Sequence, residues 1–78
     1  MPVIRLFAAA REAAGTGRDV VEGETVDDVL DAAIARYGPQ FEAVLATCRV
    51  WLNGEEVDGM TAVRGGDEVA VLPPVSGG

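Results

Sequence analysis

The residues best suited to chemistry stand at the end of the sequence, where Pro73-Pro74-Val75-Ser76-Gly77-Gly78 follows a segment rich in β-formers. Glycine has no Cβ, so Gly77 and Gly78 can enter a slot too narrow for any side chain and let another protein's backbone approach closely. The expected reactive group is the carboxylate of Gly78, presented to a partner's active site. Pro73 and Pro74 have no N–H and a fixed φ, which ends strand pairing after Leu72 and favours an extended, semi-rigid exit. At about 3.3 Å per residue, 73–78 spans roughly 20 Å. The competing reading is a glycine-rich end with no chemical role.

The other residue types leave little chemistry to compete with it. Histidine, the side chain most used for proton transfer near neutral pH and the commonest metal ligand, is absent. All 6 basic residues are arginine, so no lysine amine is present for Schiff-base or general-base work. Cys48 stands alone and offers neither a disulfide nor a cysteine cluster for a metal; it reads as a small core hydrophobe. No metal site and no independent catalytic activity are expected. The net charge of −7 disfavours nucleic acid and anionic membrane and is compatible with a basic protein partner. With no charged-then-apolar leader and no apolar run of about 18 residues, a cytoplasmic protein is expected.

At 78 residues the chain makes one small domain, 49% hydrophobic but only 5% aromatic, so its core must come from Val, Leu, Ile and Ala. Val3 to Phe7 reads as a first strand, with Ile4 and Leu6 on one face. Ala8 to Ala14 fits a short helical turn or loop closing at Gly15, and Asp19 to Glu22 a short second strand. Thr25 is the N-cap of the main helix, with acidic Asp27 and Asp28 over its positive end. Val26, Val29, Leu30, Ala33, Ile34 and Tyr37 form its apolar stripe, and Gly38-Pro39 stops it. Phe41, Val44 and Leu45 predict a short second helix over Gln40 to Ala46.

Val50-Trp51-Leu52, Asn53-Gly54 and Val57 predict a hairpin with a type I′ turn. Thr61 to Val63 reads as a short edge strand and Glu68 to Leu72 as the last strand. The expected fold is α+β: a mixed sheet of four or five strands with one main helix on one face, the first and last strands parallel at its centre. That is the β-grasp arrangement, over residues 1–72, with 73–78 as a reactive tail.

Alternation assigns the two faces of this sheet. Val69, Val71, Val50 and Leu52 turn toward the helix, whereas Phe7, Trp51, Ala70 and Leu72 turn away. Two aromatics and a leucine on an uncovered face make a candidate docking patch at the root of the tail. A bulge or a folded-over loop covering Trp51 is the plain alternative.

These residues carry a resemblance. Leu6-Phe7-Ala8-Ala9-Ala10-Arg11-Glu12-Ala13-Ala14-Gly15, Thr25-Val26, Gly66-Asp67-Glu68-Val69-Ala70 and the terminal Pro-Pro-Val-Ser-Gly-Gly are together similar to the ubiquitin-like sulfur-carrier family, and within it to the small subunits of molybdopterin synthase. The resemblance covers essentially the whole length. It implies that the Gly78 carboxylate is activated with ATP as an acyl-adenylate on a ubiquitin-activating-like adenylyltransferase, then converted to a thiocarboxylate. It further implies a heterotetramer with the large synthase subunit, in which sulfur passes to a pyranopterin precursor of the molybdenum cofactor. No cofactor is expected on the chain itself, since ATP is used by the activating partner. Gly78 falls at the sulfur-carrying position, Gly77 at the slender neck, and Phe7 and Leu72 at hydrophobic docking positions. Glu55 and Glu56 depart from the family, which can carry an apolar residue in that hairpin, and Trp51 is the candidate substitute. Two rival readings share the tail: a sulfur carrier for a thiazole, a tRNA base or cysteine, and a ubiquitin-like protein modifier.

Overall fold

The computed structural model describes residues 1–74. In chain order these form β1 (Val3–Leu6), α1 (Ala8–Ala14), β2 (Arg18–Val20), α2 (Val26–Tyr37), α3 (Pro39–Leu45), β3 (Arg49–Leu52), β4 (Glu55–Glu56) and β5 (Glu68–Leu72). The sheet has five strands in the order β2-β1-β5-β3-β4. β1 and β5 run parallel at its centre and the other neighbours are antiparallel, which is the expected β-grasp arrangement.

The main helix begins where its capping residues require. Thr25 Oγ1 accepts from the N–H of Asp28 at 3.1 Å, and Asp28 Oδ2 accepts from the N–H groups of Thr25 and Glu24, a reciprocal capping box. Val26, Val29 and Ala33 are fully buried, with Leu30, Ile34 and Tyr37 packed beside them. They meet Ile4, Leu6, Val69 and Val71 from the inner sheet face, along with Ala10 of α1 and Phe41 of α3. Burying a side chain such as Phe41 contributes on the order of 1.5–3 kcal/mol. Tyr37 meets Phe41 edge to face at 5.1 Å and so joins α2 to α3.

Four expectations are corrected. Thr61 to Val63 is not an edge strand: Ala62 makes one isolated antiparallel bridge, to Thr25. Nearby carbonyls serve the start of α2 instead, Thr61 O accepting from Val26 N at 2.9 Å and Gly59 O from Asp27 N at 2.8 Å. First-turn N–H groups have no acceptor inside their own helix, and this segment supplies one. The second strand is Arg18–Val20 rather than Asp19 to Glu22, because the backbone at Val21 closes on Pro2 and carries the buried Val21 side chain into the core. Ala8 to Ala14 is a full helix, so the sheet carries one long and two short helices, α1 being ended by Gly15 at φ +78°. β1 also stops at Leu6, Phe7 being the extended residue before α1.

Candidate functional site

The outer face of the sheet follows directly from strand register. Trp51 of β3 lies opposite Ala70 of β5, and Arg49 opposite Leu72, while Val50 and Leu52 lie opposite the buried Val71 and Val69. Alternation therefore turns Trp51, Ala70 and Leu72 away from the helices. Phe7 reaches the same place by a different route. Its extended backbone donates to Val71 O at 3.3 Å, continuing the β1–β5 ladder one residue past the strand, and its ring is 39% exposed.

Phe7, Trp51, Gly54, Glu68, Ala70, Leu72 and Pro73 line one groove of about 370 Å³. The three expected docking residues are thus gathered with the root of the tail. Trp51 is half-buried, and no loop is among the residues that line the groove beyond the turn glycine Gly54. That turn has the backbone its sequence demands, with φ +50° at Asn53 and +89° at Gly54. Asn53 then locks it to β5: its Nδ2 donates to Asp67 Oδ1 at 3.1 Å and its Oδ1 accepts from Glu68 N at 2.9 Å. The donors from Arg64 N and Asn53 hold the Asp67 carboxyl below the usual carboxylate range.

Charged groups frame the groove, and of these the sequence reading singled out only Glu56. Arg5 sits 5.9 Å from the centre of the Phe7 ring and 3.7 Å from Glu68. Arg49 pairs with Glu56 at 2.7 Å, next to Trp51, so the departure at Glu56 forms an ion pair where the resemblance allows an apolar residue. The signal that finds them is the same period of two, applied to polar positions as well as apolar ones.

Pro73 and Pro74 are exposed at the end of β5. The expected reactive positions, Gly78, Gly77, Ser76 and Val75, lie outside the described residues. Cys48 is half-buried, with its thiol directed at Val44 O at 3.3 Å. Among the described residues no group of three or more His, Cys, Asp or Glu could hold a metal ion, and no helix is long and apolar enough to cross a membrane.

The β-grasp sheet, with its central parallel pair β1 and β5, places the chain in the ubiquitin-like class of small proteins. The family model described as ThiS family matches residues 4–78, and the chain belongs to the ThiS family. It is 40% identical over 77 residues to the molybdopterin synthase sulfur carrier subunit of Chlamydomonas reinhardtii, covering 92% of each chain. The solution structure of small archaeal modifier protein 1 from Methanosarcina acetivorans superposes with a TM-score of 0.85 at 33% identity, covering 99% of this chain and 95% of that one. A protein–protein complex of subunits 1 and 2 of molybdopterin-converting factor from Helicobacter pylori contains a chain with TM-score 0.70 and 23% identity, covering 99% and 97%, a likeness of fold.

Proposed function

We propose that the chain is the sulfur carrier subunit of molybdopterin synthase. The observation that carries this reading is the groove of Phe7, Trp51 and Leu72, which closes on Pro73 where the tail leaves the sheet. Docking the groove aims the tail, and the family match extends to Gly78.

Each step has a chemical reason. A carboxylate is a poor electrophile because it is anionic and resonance-stabilised. Reaction of Gly78 with ATP on an adenylating partner gives an acyl-adenylate and pyrophosphate. Hydrosulfide then displaces AMP, gives up its proton and leaves the thiocarboxylate. The large synthase subunit receives the tail and supplies the acids, bases and anion-binding groups that a chain without His or Lys lacks. The thiocarboxylate sulfur passes to the pyranopterin precursor there.

Intact-mass and C-terminal peptide mass spectrometry, after incubation with the adenylating enzyme, ATP and a sulfur donor, tests this directly. The expected result is one oxygen replaced by sulfur at Gly78. A mass shift mapping to Met1, Met60 or Cys48 instead is oxidation and counts against it. Isopeptide adducts on lysines of other proteins, without thiocarboxylate, would assign the chain to the modifiers.

A further inference from the structure

The charge of this molecule is distributed against its average. The outer sheet face takes 3 of the 6 arginines but few of the 13 acidic residues. On the strands it carries Arg5, Arg18 and Arg49 against Glu56 and Glu68. The opposite layer exposes Asp27, Asp28 and Asp31 of α2. A chain of net charge −7 therefore offers its partner a face whose strands are slightly basic, with Arg49 paired to Glu56, Arg5 to Glu68 and Arg18 the arginine left over.

Within that face Arg5 and Arg18 occupy directly opposed positions of the β1–β2 ladder. Like charges directly opposite on neighbouring strands destabilise a sheet. Arg5 is partly answered by Glu68 at 3.7 Å, and Arg18 forms no ion pair among the described residues. Arg5 also lies over Phe7, so the Arg5 end of the pair borders the apolar groove.

We infer that the protein surface covering this face is apolar at its centre and acidic on the β1–β2 side, with a carboxylate seated between Arg5 and Arg18. This rests on the carrier reading above and differs from the basic partner with which the net charge alone is compatible. The acidic α2 layer points away from the contact. The resulting asymmetry orients the encounter, so the association rate falls as salt rises.

The test compares Arg18→Glu and Arg18→Gln with Arg64→Glu, which makes the same charge change on an exposed loop outside the groove. Binding is measured at low and high salt to the large subunit of molybdopterin synthase and to the adenylating enzyme, both from the source organism. Arg18→Glu is expected to weaken binding about tenfold at low salt, with the gap narrowing at high salt, and Arg18→Gln to weaken it less. Its melting temperature should match or exceed that of the wild type, because a glutamate opposite Arg5 relieves the repulsion. Unchanged or tighter binding of Arg18→Glu, or equal weakening by Arg64→Glu, overturns the inference. Wild-type binding to the adenylating enzyme alone overturns the pathway assignment, and the charge comparison is then decided on that enzyme. Absence of wild-type binding to both overturns both readings.

Discussion

Tyr37 Oη donates a 2.7 Å hydrogen bond to Asp19 Oδ2, tying the last turn of α2 to the edge strand β2. Arg36 Nη1 reaches the same oxygen at 2.9 Å and also donates to Val20 O at 3.0 Å. These two donors, Tyr37 first, and then the Val20 N–H hold the Asp19 carboxyl below its usual range. Burial, and then the bond to Asp19, push the Tyr37 phenol up to about 12. One α2 terminus thus positions the strand that carries Arg18.

This lock has a two-sided pH signature. Asp19 is more acidic folded than unfolded, so its contribution is present above the unfolded value of 3.8 and is lost as pH falls through the lower folded value. Tyr37 is less acidic when folded, so its contribution is present below 10.0 and is lost as pH rises toward about 12. Tyr37→Phe should cost about 1 kcal/mol near neutral pH and flatten both limbs. Urea denaturation across the pH range, with NMR titration of Asp19, measures both effects. An Asp19 titration unmoved by Tyr37→Phe would show that Arg36 and the Val20 N–H set it without the phenol.

The β2 edge is closed by side chains. Thr16 Oγ1 donates to Arg18 O at 2.9 Å and accepts from Arg18 N at 3.4 Å, while Asp19 Oδ1 takes Val20 N at 2.8 Å. Arg36 caps Val20 O, so the outward backbone groups of Arg18 and Val20 are all engaged. An uncapped edge is a template for another chain. Thr16→Val should therefore give concentration-dependent self-association in sedimentation velocity runs, where the wild type does not. Identical sedimentation of the two would count against the capping role.

Asn53 holds both a positive-φ turn position and two bonds to the start of β5. Asn53→Gly keeps the backbone freedom and removes only the bonds, so it should cost on the order of 1–2 kcal/mol. Asn53→Ala adds the strain of φ +50° and should cost up to about 1 kcal/mol more. Chemical denaturation of the two variants separates these effects. The Asp67 carboxyl should titrate closer to its ordinary value in both, because one of its two donors is gone.

Gly23 marks a close approach between the chain and the start of α2. A Cβ there would lie 2.7 Å from the backbone N of Val29, an atom the capped helix cannot move aside. Gly23→Ala should lower stability by about 1–3 kcal/mol, read as a drop in melting temperature. An unchanged melting temperature would mean that the 21–25 segment yields more readily than its contacts indicate.

The groove residues should separate binding from folding. Phe7→Ala removes a residue that is 39% exposed, so its cost to stability should be only part of that of a fully buried ring, about 1–2 kcal/mol. Its cost to binding the large subunit should reach about 2 kcal/mol, roughly thirtyfold, as for an aromatic anchor at the centre of an interface. Trp51→Ala and Leu72→Ala should follow the same direction. Titration calorimetry on folded variants checks this, and undiminished affinity across all three would remove the groove from the docking surface.

Much of the fold follows from local rules. Thr25 with Asp28, the i, i+3, i+4 stripe of α2, Asn53-Gly54 and the alternation of β5 are short-range patterns, each with a physical cause acting over a few residues. The same alternation placed Phe7, Trp51 and Leu72 on one face, and register made it one groove. Thr61 to Val63 resembled a strand because β-branched composition does not say which backbone will pair with it. The orphan N–H groups of α2 took it, a contact set by the fold. The opposition of Arg5 and Arg18 was invisible for a related reason, since strand register between distant segments fixes which charges meet. The sequence by itself determined most of the elements, the sheet faces and a tail that matches its family through Gly78. Only the tertiary structure decided which side chains share the groove and how charge is laid around it, because those depend on distances between residues far apart in the chain.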